Sequence, residues 1–131
     1  MRFMSLYKPG LELDGPPDQQ RIAALNQLIE EMTQAGVMLA TDGLLPSSKG
    51  ARVRLSDGHF TVTDGPFAET KELIAGYAIL QAESKSEAIN LAKRFLNIMG
   101  EGECEVRLMF GSEDAPCPGE SVAERHAPTA A

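Results

Sequence analysis

Residues 73–82 are apolar on both sides of an extended segment, with Ile74, Ala78 and Leu80 alternating with Leu73, Ala75, Tyr77 and Ile79. Successive strand side chains point to opposite faces, so this run needs cover above and below and belongs in the interior of a layered fold. The remaining periodicities supply one cover. Ile22, Leu25, Leu28, Ile29, Met32 and Ala35 recur at helical spacing and end at Gly36. Ala88, Leu91, Ala92, Phe95, Leu96 and Met99 form a second stripe, opened by the capping box Ser84-x-x-Glu87 and stopped by Gly100.

Around these helices the chain reads as strands. Met1 to Lys8 alternates, with Phe3 and Tyr7 on one side and Met4 and Leu6 on the other, until Pro9-Gly10. Gly15-Pro16-Pro17-Asp18 marks the loop and the entry to the first helix. Val37 to Ala40 predicts a short strand running into an irregular segment, Thr41 to Gly50. Ala51–Ser56 and His59–Asp64 flank Asp57-Gly58, the signature of a two-residue hairpin turn. Cys104, Val106, Leu108 and Phe110 alternate with Glu103, Glu105, Arg107 and Met109, a strand with one apolar and one mostly polar face. Periodicity ends near residue 111, so residues 112–131 are expected to form a flexible tail after one domain, a single one being what 131 residues allow. The order strand, helix, strand, hairpin, strand, helix, strand predicts an α+β ferredoxin-like sandwich with both helices on one face of a mainly antiparallel sheet. The helix-free side of residues 73–82 then needs a second copy of the chain, and a homodimer is expected.

Composition narrows the function classes. Twelve Lys and Arg against 19 Asp and Glu give a formal net charge of -7, which disfavours direct contact with a nucleic-acid backbone. No apolar run approaches the roughly 18 residues of a membrane span, and the start is too short in apolar residues for a signal peptide, so a cytoplasmic protein is expected. Cys104 and Cys117 are then expected as free thiols. His59 and His126 are isolated, with no metal-ligand spacing, and phosphate-loop and nucleophile-elbow motifs are absent. Neither metal nor cofactor is expected.

Residues 64–72, Asp64-Gly65-Pro66-Phe67-Ala68-Glu69-Thr70-Lys71-Glu72, form a Gly-Pro turn followed by a cluster of polar side chains. With the preceding hairpin, the Gly36–Pro46 segment and the closing helix and strand, this run resembles the YCII-related proteins of the DGPF type, over roughly residues 1–111. The resemblance implies a dimeric α/β-barrel of ferredoxin-like units. In some members of the wider family it also implies a His and an Asp facing a pocket. The first helix here holds no His, so Asp42 lacks that partner. The resemblance further implies an association with extracytoplasmic-function sigma factors, as a regulatory or ligand-sensing module.

The residues admit a structural and a functional reading side by side. Asp64 can cap its turn by accepting from the N–H two residues on, or act as a general base. Glu69, Lys71 and Glu72 can be a solvated cluster, or Lys71 can anchor an anionic or carbonyl-bearing ligand with Glu72 beside it and Glu69 in acid/base work. Arg52, Arg54 and His59 share a hairpin face with Thr61 and Thr63, either a wet surface or an anion-binding wall. Asp42 is either turn chemistry or a site residue beside a loop. The expected function is binding of a small polar or anionic metabolite by a homodimeric barrel, with acid/base chemistry by Asp64, Asp42 or Glu69. The alternative is a non-catalytic module acting with a sigma factor.

Overall fold

A computed structural model describes residues 1–11 and 18–111. Gly15–Pro17, Cys117 and the expected tail lie outside the described residues. The elements are β1 (Arg2–Lys8), α1 (Gln19–Gln34), β2 (Met38–Gly43), β3 (Ala51–Ser56), β4 (His59–Asp64), β5 (Gly76–Gln81), α2 (Lys85–Met99) and β6 (Glu103–Leu108). Four strands form one antiparallel sheet in the order β2-β5-β1-β6, and β3 and β4 form a separate two-stranded sheet. This is the ferredoxin-like α+β arrangement expected, with the double-faced strand in the interior.

Register assigns the faces. Phe3 lies opposite both Leu80 and Leu108, Ser5 opposite Ala78 and Val106, and Tyr7 opposite Gly76 and Cys104. Phe3 and Leu80 join Leu28 and Met32 of α1 and Ala88 of α2 in one buried cluster, so both helices cover this face. The opposite face carries Met4, Leu6, Tyr77 and Ile79, all half-buried, flanked by Glu103, Glu105 and Arg107 on β6.

Both helix starts are capped by side chains. Asp18 Oδ1 accepts from the Arg21 N–H at 2.8 Å, and Ser84 Oγ accepts from the Glu87 N–H at 3.1 Å. Gly36 and Gly100 follow the two helices with φ of 76° and 91°, the left-handed backbone glycine adopts most readily. Asp57 and Gly58 have φ of 52° and 78°, as the hairpin turn requires.

Two boundaries differ from the sequence reading. β5 begins at Gly76 rather than Leu73, because a single 3-10 turn at Thr70–Glu72 feeds Leu73–Ala75 in as irregular chain. β2 continues through Thr41, Asp42 and Gly43, which pair with Ala78, Tyr77 and Gly76. Asp42 is thus a strand residue and not a loop residue: edge pairing to β5 outweighs the turn propensity of Asp-Gly.

Candidate functional site

A cavity of about 930 Å³ opens between the helices and the sheet. Its apolar walls come from the inner stripes of both helices, Leu25, Leu28, Ile29 and Met32 on α1 and Leu91, Phe95 and Met99 on α2, with Ala78 and Leu80 of β5 as floor. Leu44, Leu45, Pro46 and Ile74 stand at the β2 end. The stripes expected as core are therefore only partly buried: Leu25, Ile29, Leu91 and Phe95 are intermediate in exposure because they face this space.

The polar groups in the wall are few. Ser5, Tyr7, Thr41, Asp42, Ser48, Tyr77 and Cys104 border it, and Asp42 is the one carboxylate among the described lining residues, with no Lys, Arg, Glu or His. Thr41 Oγ1 donates to the Tyr77 carbonyl at 2.8 Å. The Tyr7 ring meets Phe95 edge-on, centroids 4.9 Å apart at 80°, a favoured aromatic geometry. Burial pushes the Tyr7 phenol above its ordinary value, with neighbouring Cys104 adding to the shift. Burial likewise pushes the Cys104 thiol up, and a side-chain hydrogen bond with Ser5 opposes it. At neutral pH both stay protonated. Cys104 is therefore a poor nucleophile, since the thiolate is the reactive form.

Asp42 is exposed and borders the cavity at the β2 edge. Register sets it opposite Tyr77, which lies opposite Leu6, so its side chain belongs to the helix-free face of the sheet and not to the chamber under the helices. Asp64, Glu69, Lys71, Glu72, Arg52, Arg54 and His59 are not among its described lining residues, and all seven are exposed. Several of them hold the chain together elsewhere. Arg52 Nη1 lies 3.1 Å from Glu69 Oε2, and its guanidinium stacks 4.0 Å above the Phe67 ring. The Glu69 carboxyl is held below its usual range, first by its own backbone N–H and then by Arg52. Glu72 Oε2 lies 3.4 Å from Lys8 Nζ, which also bonds Glu105 at 2.9 Å. Arg54 and His59 share the polar hairpin face with Arg52, Thr61 and Thr63, because Arg54 pairs with Thr61, Ser56 with His59 and Arg52 with Thr63. Lys71 sits in the 3-10 turn without an ion pair among the described residues.

The turn after β4 differs from the expected capping by Asp64. The residue two positions on is Pro66, which has no N–H to give. The turn is instead tied across to the Ser47–Gly50 segment: Gly65 N–H donates to the Gly50 carbonyl at 3.0 Å, and Phe67 N–H to Ser47 Oγ at 3.0 Å. Glycine is required at 65 for space, since a Cβ there would collide with the Ser47 carbonyl. The Gly65–Pro66 peptide is cis.

Sequence reasoning passed over Tyr7, Ser5 and Cys104 as site residues. A signal was available: hydroxyl and thiol groups at alternate positions on strand faces turned toward the helices, where apolar residues are the rule.

Fold and cavity together define a ferredoxin-like α+β module with an apolar chamber under its helices. A model of the YCII-related domain matches residues 1–109, and the chain belongs to the YCII-related family. It is 33% identical over 91 residues to the uncharacterized protein R00369 of Rhizobium meliloti (strain 1021), spanning 69% of this chain and 73% of that protein. Among solved structures it is similar to 5-chloro-2-hydroxyhydroquinone dehydrochlorinase (TftG) from Burkholderia phenoliruptrix AC1100 in complex with 2,5-dihydroxybenzoquinone. That likeness has a TM-score of 0.44 and 17% identity, over 88% of this chain and 100% of that one. Among the described residues, no helix is long and apolar enough to cross a membrane, and no group of three or more His, Cys, Asp or Glu side chains could hold a metal ion.

Proposed function

We propose that this YCII-related chain binds a small, mainly apolar molecule bearing uncharged polar substituents in the cavity between helices and sheet. The lining carries the reading: aliphatic and aromatic side chains surround the space, with neutral hydroxyl and thiol groups of Ser5, Tyr7, Thr41 and Cys104 to orient a ligand. Apolar walls with a few convergent polar groups are typical of small-molecule sites, and about 930 Å³ falls within their usual size. An anionic ligand would need a cation, and none stands among the described lining residues. The class of ligand thus shifts from the anionic metabolite expected from Lys71, Arg52 and Arg54 to an apolar one. Register turns Asp42 to the opposite face of the sheet, so the chamber calls for binding by neutral groups and assigns no carboxylate to an acid/base step. The half-buried apolar back of the sheet, Met4, Leu6, Tyr77 and Ile79, supports a second copy of the chain as its cover.

The test uses the uncharged fluorophore N-phenyl-1-naphthylamine. The wild type is expected to enhance its emission with one site per chain, and Leu25→Trp, which adds an indole to the wall, is expected to abolish the enhancement while leaving the far-ultraviolet circular dichroism unchanged. Equal binding by both proteins, or none by the wild type at 100-fold excess of protein over probe, would overturn the reading.

A further inference from the structure

The β3–β4 hairpin is amphipathic and uncovered. Val53 lies opposite Val62 and Leu55 opposite Phe60, so these four side chains form one continuous apolar face. They are 68%, 63%, 62% and 73% exposed respectively. A two-stranded hairpin standing alone in water is marginal, and this one is tied at its base to its own flanking segments, by Gly65 to Gly50, Phe67 to Ser47 and Arg52 to Glu69. The four side chains present on the order of 400 Å² of apolar surface per copy, the patch size that marks an interaction site on a soluble protein.

We propose that this apolar face is an arm buried against a second copy of the same chain. The inference rests on the two-copy reading above and adds a surface to it. Met4, Leu6, Tyr77 and Ile79 on the back of the sheet are half-buried within one chain, and the hairpin adds exposed apolar surface to them. Two arms, each covering an equal area of the partner, bring the total buried to roughly 1,600 Å², the standard size of a stable interface. A two-fold pair makes every such contact twice. The chain's own remaining segments are poor cover: residues 12–17 and 112–131 contain Leu13 and Val122 as their only large aliphatics, and no Phe, Ile or Met.

Sedimentation equilibrium on the full chain tests this. The wild type is expected at twice the chain mass at micromolar concentration, and the Phe60→Glu, Val62→Glu double variant at one chain mass, its dimer weakened by at least about 30-fold, with unchanged circular dichroism. Phe60→Leu is expected to keep the dimer. A double variant that stays dimeric with wild-type affinity overturns the arm and leaves the two-copy reading standing, whereas a monomeric wild type overturns both. Should the double variant fail to fold, Phe60→Trp provides the second measurement, because the chain has no other tryptophan. Its emission is expected to be blue-shifted at high concentration and to move red on dilution. Red emission at every concentration, or blue emission independent of concentration as cover by the same chain would give, overturns the arm.

Discussion

Replacing Gly65 by alanine should loosen the hairpin without unfolding the body. Gly65 does not have a positive φ, so the added methyl is harmful through contact and not through backbone angle. It would strike the Ser47 carbonyl and come within 3.2 Å of the Ser48 nitrogen, both backbone atoms that move only if the 3-10 turn Ser47–Lys49 moves with them. That displacement breaks the bonds from Gly65 to Gly50 and from Phe67 to Ser47, each 3.0 Å long. It also moves Phe67 out from under Arg52, now 4.0 Å above it. Two hydrogen bonds at about 1 kcal/mol each and an exposed cation–π contact at about 0.5–1 kcal/mol come to roughly 2–3 kcal/mol. This energy ties the hairpin base down, and the buried cluster of Phe3, Leu28, Met32 and Leu80 takes no part in it. Native-state hydrogen exchange is therefore the assay. Amides of residues 51–64 should exchange roughly 30- to 150-fold faster in the variant, while those of β1 and β5 should keep wild-type protection. Unchanged hairpin amides, or an equal loss of protection throughout the sheet, would refute the reasoning.

Leu28→Ala should cost about 2–4 kcal/mol by urea unfolding, since Leu28 is 5% exposed in the main cluster. Ser84→Ala should cost about 1 kcal/mol in the same assay by removing the cap on α2. The Lys8–Glu105 pair predicts a pH dependence of definite sign. The hydrogen bond from Lys8, with help from Arg107, holds the Glu105 carboxyl below its usual range, so its contribution is present above the unfolded carboxylate value and is lost as pH falls through the folded one. The same bond raises Lys8, whose contribution is complete below the ordinary lysine value and is lost as pH rises through the folded one. Lys8→Met should accordingly flatten the acid limb of the melting temperature against pH, and an unaltered acid limb would count against the pair. Cys104, its thiol raised by burial, should be alkylated by iodoacetamide at pH 8 far more slowly in the folded than in the urea-unfolded chain, as read by mass spectrometry of its peptide.

The fold was legible because periodicity and punctuation are local. Helical spacing, the two glycine stops, the Ser84 cap and the Asp57-Gly58 turn each act over a few residues and have the expected form, although the Glu87 carboxylate accepts from the Glu83 N–H, one residue before the cap. The run 73–82 announced an interior strand from its own side chains alone. The site was less legible, because a cavity belongs to the gap between elements. Asp42 admits turn chemistry or a site role from its sequence, and in the structure it is an edge-strand residue opposite Tyr77, its side chain on the helix-free face. Arg52, Glu69 and Glu72, prominent as charges close together in the sequence, find ion-pair partners on the surface. Tyr7, Ser5 and Cys104 read as ordinary strand residues until register set Tyr7 opposite Cys104 beneath Phe95.

Sequence alone thus determined the order and type of the elements, the faces of β1 and β6, the helix stops and the Asp57-Gly58 hairpin turn, since these depend on interactions among neighbours in the chain. Tertiary structure alone decided that the inner stripes of the helices leave a chamber beside the packed cluster, that its wall is mainly apolar and carries no cation among the described residues, and that the hairpin's apolar side is uncovered. Those outcomes depend on distances between segments far apart in sequence, which no local pattern encodes.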